Sequence, residues 1–296
     1  MIPTSIGAPE GISREELRSL LLQYRRENWN GIQTADLQAT IVDQILQDNG
    51  EYVLNQVQNF YRLPANGQVL DVGSGVGTFV LGCRARGIRA FGVEPDRIGQ
   101  GSQLSGLRIA RLRTAEQIFV AGTGENLPFP DRTFDLVTMN QVIEHVSDQK
   151  ACLQEAVRVL KPGGALYIAC PNYLRFYEPH YKIFWLPLMP QVLARGYLRL
   201  RGRNPVMLKQ LTYTTNGRLR RVLRALGQEC KFLDLHEQQF LEKRTTRAFT
   251  SRAYRLLARA TQIPILGNAL LQLVLIALRI RQGGCEMMAF RKGSTT

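Results

Sequence analysis

The run VLDVGSGVGTF at 69–79 constrains this chain more than any other stretch. A short β-rich segment ends in Gly73, Gly75 and Gly77, and TFVLGCRARG (78–87) then reads as a helix that stops at Gly87. Glycine permits a sharp turn and lets backbone N–H groups approach a ligand closely, at the start of a helix whose dipole favours negative charge. A strand, a glycine bend and a helix in that order belong in a layered α/β fold.

The same rhythm continues downstream. AFGVEP (90–95), IFVAGTG (118–124), FDLVTMN (134–140) and ALYIACPN (165–172) read as strands two to five, and CKFLDLH (230–236) and CEMMAFRK (285–292) as six and seven. DQKACLQEAVRVLKPGG (148–164) reads as a helix, with Leu153, Ala156, Val157 and Leu160 on one face and Pro162, Gly163 and Gly164 ending it. Such alternation predicts right-handed βαβ units and a parallel sheet buried on both faces, with ligands at the carboxyl ends of the strands. Upstream, 13–30 and 34–62 read as helices, the first opened by a Ser13/Glu16 capping box. The expected organisation is an N-terminal helical region (1–66), a ligand-binding core (67–172), an aromatic and basic lid insertion (173–214), and a C-terminal part of the fold (215–296). That last part has a helix at 215–226 and an apolar helix at 264–281.

The glycine run alone is a weak signal, because dinucleotide enzymes use a related loop. Its companions sharpen it. Glu94 ends the second strand, where a carboxylate can accept two hydrogen bonds from a ribose diol. GTGENLPFPDRTFDLV (122–137), then Asn140-Gln141-Val142-Ile143-Glu144-His145, then LKPGG complete the set. With these residues in place, 69–172 resembles the class I S-adenosylmethionine-dependent methyltransferases, and in particular the broad group that includes the ubiquinone-biosynthesis O-methyltransferases. The resemblance implies a Rossmann-like, seven-stranded, mostly parallel sheet with helices on both faces and an antiparallel C-terminal strand. It also implies S-adenosyl-L-methionine as cofactor. Asp71, Gly73, Ser74, Gly75 and Gly77 would line its methionine part, Glu94 would hold the ribose hydroxyls and Pro95 would flank the adenine. Thr123, Gly124 and Glu125 would sit at the adenine edge, and Asn140 and Gln141 beside the sulfonium. Many relatives carry an acid where Thr123 stands, which leaves the adenine contact there to the backbone of Gly124.

A hydroxyl acceptor needs a base, and histidine suits that role at neutral pH. The chain has three histidines. His145 follows Glu144, and His180 lies in YEPHYK within the aromatic segment; these two are the candidate catalytic residues. His236 lies far from the cofactor motifs and receives no role. In the quinone O-methyltransferases a run similar to QVIEHV carries two acids and a histidine. Gln141 replaces the first acid here, so no metal site is expected.

Charge and composition narrow the acceptor. Residues 1–194 carry a net charge of −1, residues 195–259 a net +12, and the tail adds +3. Six of the 24 aromatic residues fall between Tyr173 and Trp185. KIFWLPLMP followed by RGYLRLRGR would make an apolar pocket with a basic rim, suited to a small or lipid-like acceptor and to peripheral contact with an anionic membrane. A nucleic-acid methyltransferase is the competing class on charge, but no recognition motif accompanies it. Sugar or natural-product methylation and a non-catalytic cofactor-binding protein are the remaining alternatives. Asn268, Gln272 and Arg279 share one stripe of the helix at 264–281, which suits a helix packed on the protein, or else lying on a membrane surface, and not one spanning a membrane. Five scattered cysteines without a CxxC pair fit reduced thiols, and the N-terminus has no basic-then-apolar signal pattern. A cytoplasmic location is therefore expected.

Overall fold

A computed structural model describes residues 12–29, 32–47, 50–96, 104–225, 230–246, 252–263, 266–281 and 284–291. Three helices come first: α1 (Arg14–Trp29), α2 (Ala35–Gln47) and α3 (Glu51–Gln58). The Ser13 N–H donates to the Glu16 carboxylate at 2.7 Å and the Glu16 N–H to Ser13 Oγ at 3.1 Å, so the capping box closes reciprocally. The span 34–62, expected as one helix, is two. Gly50 precedes α3 with φ 69°, which an α-helix cannot accommodate, and α3 turns there to pack on Phe79.

The core follows as β1 (Gln68–Val72), α4 (Thr78–Ala85), β2 (Arg89–Glu94), α5 (Gly106–Leu112), β3 (Phe119–Ala121), β4 (Phe134–Asn140), α6 (Gln149–Val159) and β5 (Leu160–Pro171). Residues 173–214 then supply a hairpin of β6 (Tyr177–Glu178) and β7 (Ile183–Phe184), helix α7 (Gln191–Leu200) and a 3-10 turn at Pro205–Gln210. The chain ends in α8 (Asn216–Ala225), β8 (Cys230–Asp234), α9 (Leu235–Thr246), α10 (Arg252–Ala260), α11 (Leu266–Arg281) and β9 (Gly284–Arg291).

Seven strands form one sheet in the order β3-β2-β1-β4-β5-β9-β8. β1 to β5 run parallel to one another, and β9 runs antiparallel between β5 and β8. This is the Rossmann-like, mostly parallel arrangement expected. Successive residues alternate between the two faces. Val69, Leu136, Tyr167 and Met288 pack with α3, α4 and α5; Leu70, Val137, Ile168 and Met287 pack with α6 and α8. The strand order reverses between β1 and β4, so the loops after these strands open a crevice at their carboxyl ends.

Three strand boundaries differ from expectation, the first at the third strand, which stops at Ala121 and not at Gly124. β5 begins at Leu160, not Ala165: Leu160 already pairs with Phe134, and the register shifts before Leu136. The Lys-Pro-Gly-Gly run therefore bends the strand as a bulge, with Gly163 at φ 80°. The sixth strand stops at Asp234, whose carboxylate accepts the N–H groups of His236 and Glu237 and so opens α9. In α11, Val274 and Leu275 pack on Phe240 of α9 while Leu273 and Ile276 face outward; residues 264–265 and the side chain of Arg279 lie outside the described residues. Among the described residues no helix is long and apolar enough to cross a membrane. Cys83, Cys152, Cys170 and Cys285 are buried free thiols; the side chain of Cys230 lies outside the described residues.

Candidate active site

The bend after β1 is left-handed at all three glycines, with φ of 71° at Gly73, 54° at Gly75 and 82° at Gly77. The N–H groups of Gly73 and Ser74 donate to the Val93 carbonyl at 2.8 and 3.0 Å, which ties the bend to β2. A Cβ on Gly73 would lie 2.4 Å from Val142 Cγ2, and one on Gly77 would lie 2.5 Å from Phe119 Cζ. At Gly75 nothing lies within 4 Å. The outer glycines are thus packed against protein, and the middle one faces open space. The Gly75 N–H donates to Glu94 Oε2 at 2.9 Å across 19 residues of sequence. The buried Ser74 Oγ has no hydrogen-bond partner. A left-handed glycine bend with an acid at its rim, an unpartnered Ser74 hydroxyl and room over its centre fits an adenosyl cofactor.

The other cofactor candidates lie on the neighbouring loops. Asp71, buried on β1, accepts from Thr138 Oγ1 at 2.7 Å; burial pushes its carboxyl up to about 7 despite that bond. Pro95 follows β2 and is half-buried. Thr123 bridges to Asn126 in a tight turn, and a Cβ on Gly124 would lie 2.5 Å from Cys152 Sγ. The Glu125 carboxylate accepts the N–H groups of Ser147 and Asp148 at 2.7 and 3.4 Å, so it fastens this turn to the start of α6. Asn140 and Gln141 are exposed at the end of β4. Gln141 adopts left-handed backbone at φ 59°, and its N–H donates to the Ala169 carbonyl. Such a residue costs about 1 kcal/mol, and it turns the chain sharply beside the crevice.

A second cluster gathers residues distant in sequence. The rings of His145 and His180 meet edge to face with centroids 5.2 Å apart, and His145 Nε2 lies 4.0 Å from Glu144 Oε1. His180 Nδ1 is 2.7 Å from Glu178 Oε1. Glu178 is fully buried and also accepts the Tyr173 hydroxyl and the Tyr181 N–H. Glu144 is fully buried with neither carboxylate oxygen hydrogen-bonded, and desolvation pushes it up to about 7. Burial, reinforced by the neighbouring His180, drives His145 down to about 4, so it is neutral at physiological pH. One ligand atom from each of Glu144, His145 and His180 lies within 4.8 Å of the others, a spacing that could surround a cation.

Sequence reasoning paired the two histidines as candidates, and the fold brings them together. It missed Glu178, although the carboxylate two residues before His180 was a visible signal. It also missed the wall contributed by α1: Trp29 stacks on His180 at 6.4 Å, and the Arg25 guanidinium lies 4.5 Å over Trp29. Gln33 joins the two by accepting from Arg25 and donating to the His180 carbonyl. Nothing local in the sequence marks contacts across about 150 positions. His236 lies in the first turn of α9 with a buried, unpartnered Nε2.

Residues 70–168 match the family described as a methyltransferase domain. Over 110 residues the chain is 39% identical to an uncharacterised methyltransferase of Schizosaccharomyces pombe, covering 35% of this chain and 38% of that protein. Over 102 residues it is 34% identical to a demethylmenaquinone methyltransferase of Renibacterium salmoninarum, covering 34% of this chain and 40% of that protein. The chain thus spans less than half the length of these two relatives. Among solved structures, a phosphoethanolamine N-methyltransferase 2 of Haemonchus contortus aligns with 97% of this chain and 61% of its own, at a TM-score of 0.50 and 15% identity. That likeness is one of fold.

Proposed function

We propose that the chain, whose residues 70–168 match a methyltransferase domain, uses S-adenosylmethionine to methylate a hydroxyl of a small, lipid-like acceptor, in the cytoplasm and in peripheral contact with an anionic membrane. The observation that carries the cofactor half of this reading is the glycine bend: packed at Gly73 and Gly77, open at Gly75, with Glu94 across from it. S-adenosylmethionine supplies an electrophilic methyl group when bound. Asp71, Ser74 and the three glycines hold its methionine part, Glu94 its ribose hydroxyls, and Pro95 flanks its adenine. Thr123 and Gly124 meet the adenine edge by backbone, and Glu125 contributes through the turn it fastens. Asn140 and Gln141 border the reacting centre.

The acceptor half rests on His180 and His145. Glu178 engages Nδ1 of His180 and orients its ring, and Nε2 is the atom assigned to take the acceptor's proton. The same carboxylate then stabilises the imidazolium. His145, held neutral by burial, is the second base. Residues 173–214 act as the lid over the acceptor, with the Tyr173 and Tyr213 rings stacked at 4.6 Å behind the histidines.

Labelled-methyl transfer from the cofactor to a lipid extract, a phenol panel, a sugar panel and an RNA pool tests the acceptor. Lipid or phenol label is expected, and label confined to RNA or sugars would overturn the lipid-like assignment. His180→Ala is expected to lower kcat by about 10²–10⁴-fold, the usual contribution of a positioned base, with unchanged affinity for S-adenosylhomocysteine. Full activity in both His180→Ala and His145→Ala would remove the base mechanism.

A further inference from the structure

The segment that carries His180 on its inner side exposes hydrocarbon on its outer side. Leu200 is 88% exposed, Val192 77%, Leu193 64% and Phe176 61%. On α7, Ala194 and Leu198 face inward, while Val192, Leu193, Arg199 and Leu200 occupy the opposite face. The hairpin extends this surface. Phe176 stacks on Phe184 at 5.9 Å, both exposed, and the Tyr197 hydroxyl of α7 donates to the Phe184 carbonyl at 3.0 Å, which fixes helix and hairpin together. An apolar patch of this extent on a chain with an ample core marks an interaction site.

Charge identifies the partner. From Tyr173 to Gln210 there are seven Lys and Arg residues and one acid, Glu178, which is buried against His180. Lys182, Arg199, Arg201 and Lys209 are exposed, and none of them forms an ion pair among the described residues. Exposed Leu, Val and Phe beside unpaired arginines is the composition of an element that lies in a bilayer interface. Nucleic acid rewards charge and aromatic stacking, and Val192, Leu193 and Leu200 offer neither. A second copy of the chain would bring like-charged arginines face to face.

We propose that the face formed by α7 and the β6–β7 hairpin docks on an anionic lipid bilayer, seating the hydrocarbon of Phe176, Val192, Leu193 and Leu200 among the acyl chains. Arg199 and Arg201 lie at the phosphate level. This deepens the reading of a lipid-like acceptor, on which it rests: an acceptor dissolved in the membrane would reach His180 through the docked hairpin.

Vesicle sedimentation with the full chain tests it, using phosphatidylcholine vesicles with and without phosphatidylglycerol. Binding is expected only with the anionic lipid and is expected to weaken as salt rises. Arg199→Glu with Arg201→Glu should weaken it more than ten-fold, at about five-fold or more per charge. Val192→Asp with Leu200→Asp should do the same by removing the apolar anchor. Affinity for S-adenosylhomocysteine should stay at the wild-type value in every variant, which shows that they fold and separates this test from the methyltransferase reading. Wild-type protein that ignores anionic vesicles, or variants that bind like wild type, would overturn the proposal. So would sensitivity of RNA retention or of dimerisation to these substitutions in place of vesicle binding.

Discussion

Three glycines in one bend carry different burdens, and substitution separates them. At Gly73 both the backbone and the space forbid a side chain: φ is 71° and Val142 Cγ2 is 2.4 Å from an added Cβ. Gly75 shares the left-handed backbone but points into open space. Gly73→Ala is therefore expected to cost about 2–4 kcal/mol of stability, from the clash added to the conformational cost. Gly75→Ala should cost only about 1 kcal/mol while losing most cofactor affinity, because its methyl group would occupy the ligand's place. Thermal melts with parallel cofactor titrations check the pair, and equal stability losses with intact binding at Gly75→Ala would refute this division. The sequence makes these glycines legible as a group, since their spacing after a strand is visible. It cannot rank them, because Val142 and Phe119 reach them through the fold. The wall that α1 contributes was illegible for the same reason: Arg25 and Trp29 are neighbours on one helix, but only tertiary structure brings Trp29 to His180.

Elements in the core were legible because each carries two agreeing signals, an apolar run and a punctuating residue. β1, β2 and β4 begin and end within a residue or two of the expected bounds. Errors fall where the punctuation has two meanings. Lys161-Pro162-Gly163-Gly164 reads as a stop but builds a bulge inside β5. Gly50 reads as a tolerated helix residue but breaks α2 from α3. That last point has a test whose sign differs between the alternatives. In a continuous helix, Gly50→Ala would stabilise the protein by about 1 kcal/mol. With φ at 69° and an added Cβ 2.9 Å from the Phe79 backbone, it should instead destabilise by about 1–3 kcal/mol. Chemical denaturation of the variant decides the matter. α5 and α9 were missed because α5 is short and α9 has weak helical periodicity, whereas α7 is clearly periodic but falls in the segment read as an aromatic and basic lid.

The whole molecule divides by charge as well as by structure. A nearly neutral sheet domain holds the crevice, and the excess positive charge sits on the segment after it. The histidine cluster lies where α1 and the hairpin converge on the carboxyl ends of β4 and β5, and the basic segment reaches it through the Thr212 N–H, which donates to the Glu144 carbonyl at 2.7 Å. On the proposed reading the cofactor lies at the glycine bend and the acceptor at the titratable side chains of the histidine cluster. The proposed function requires that the glycine bend and Glu94 together grip an adenosyl sulfonium. Calorimetric titration of S-adenosylmethionine into the wild-type chain and into Glu94→Ala tests it most directly. The account predicts saturable one-site binding by wild type and a loss of about 10–100-fold in the variant, the worth of charge-assisted hydrogen bonds to two hydroxyls. Wild-type protein that binds NAD and not S-adenosylmethionine, or a Glu94→Ala variant that binds it as well as wild type, would contradict the account.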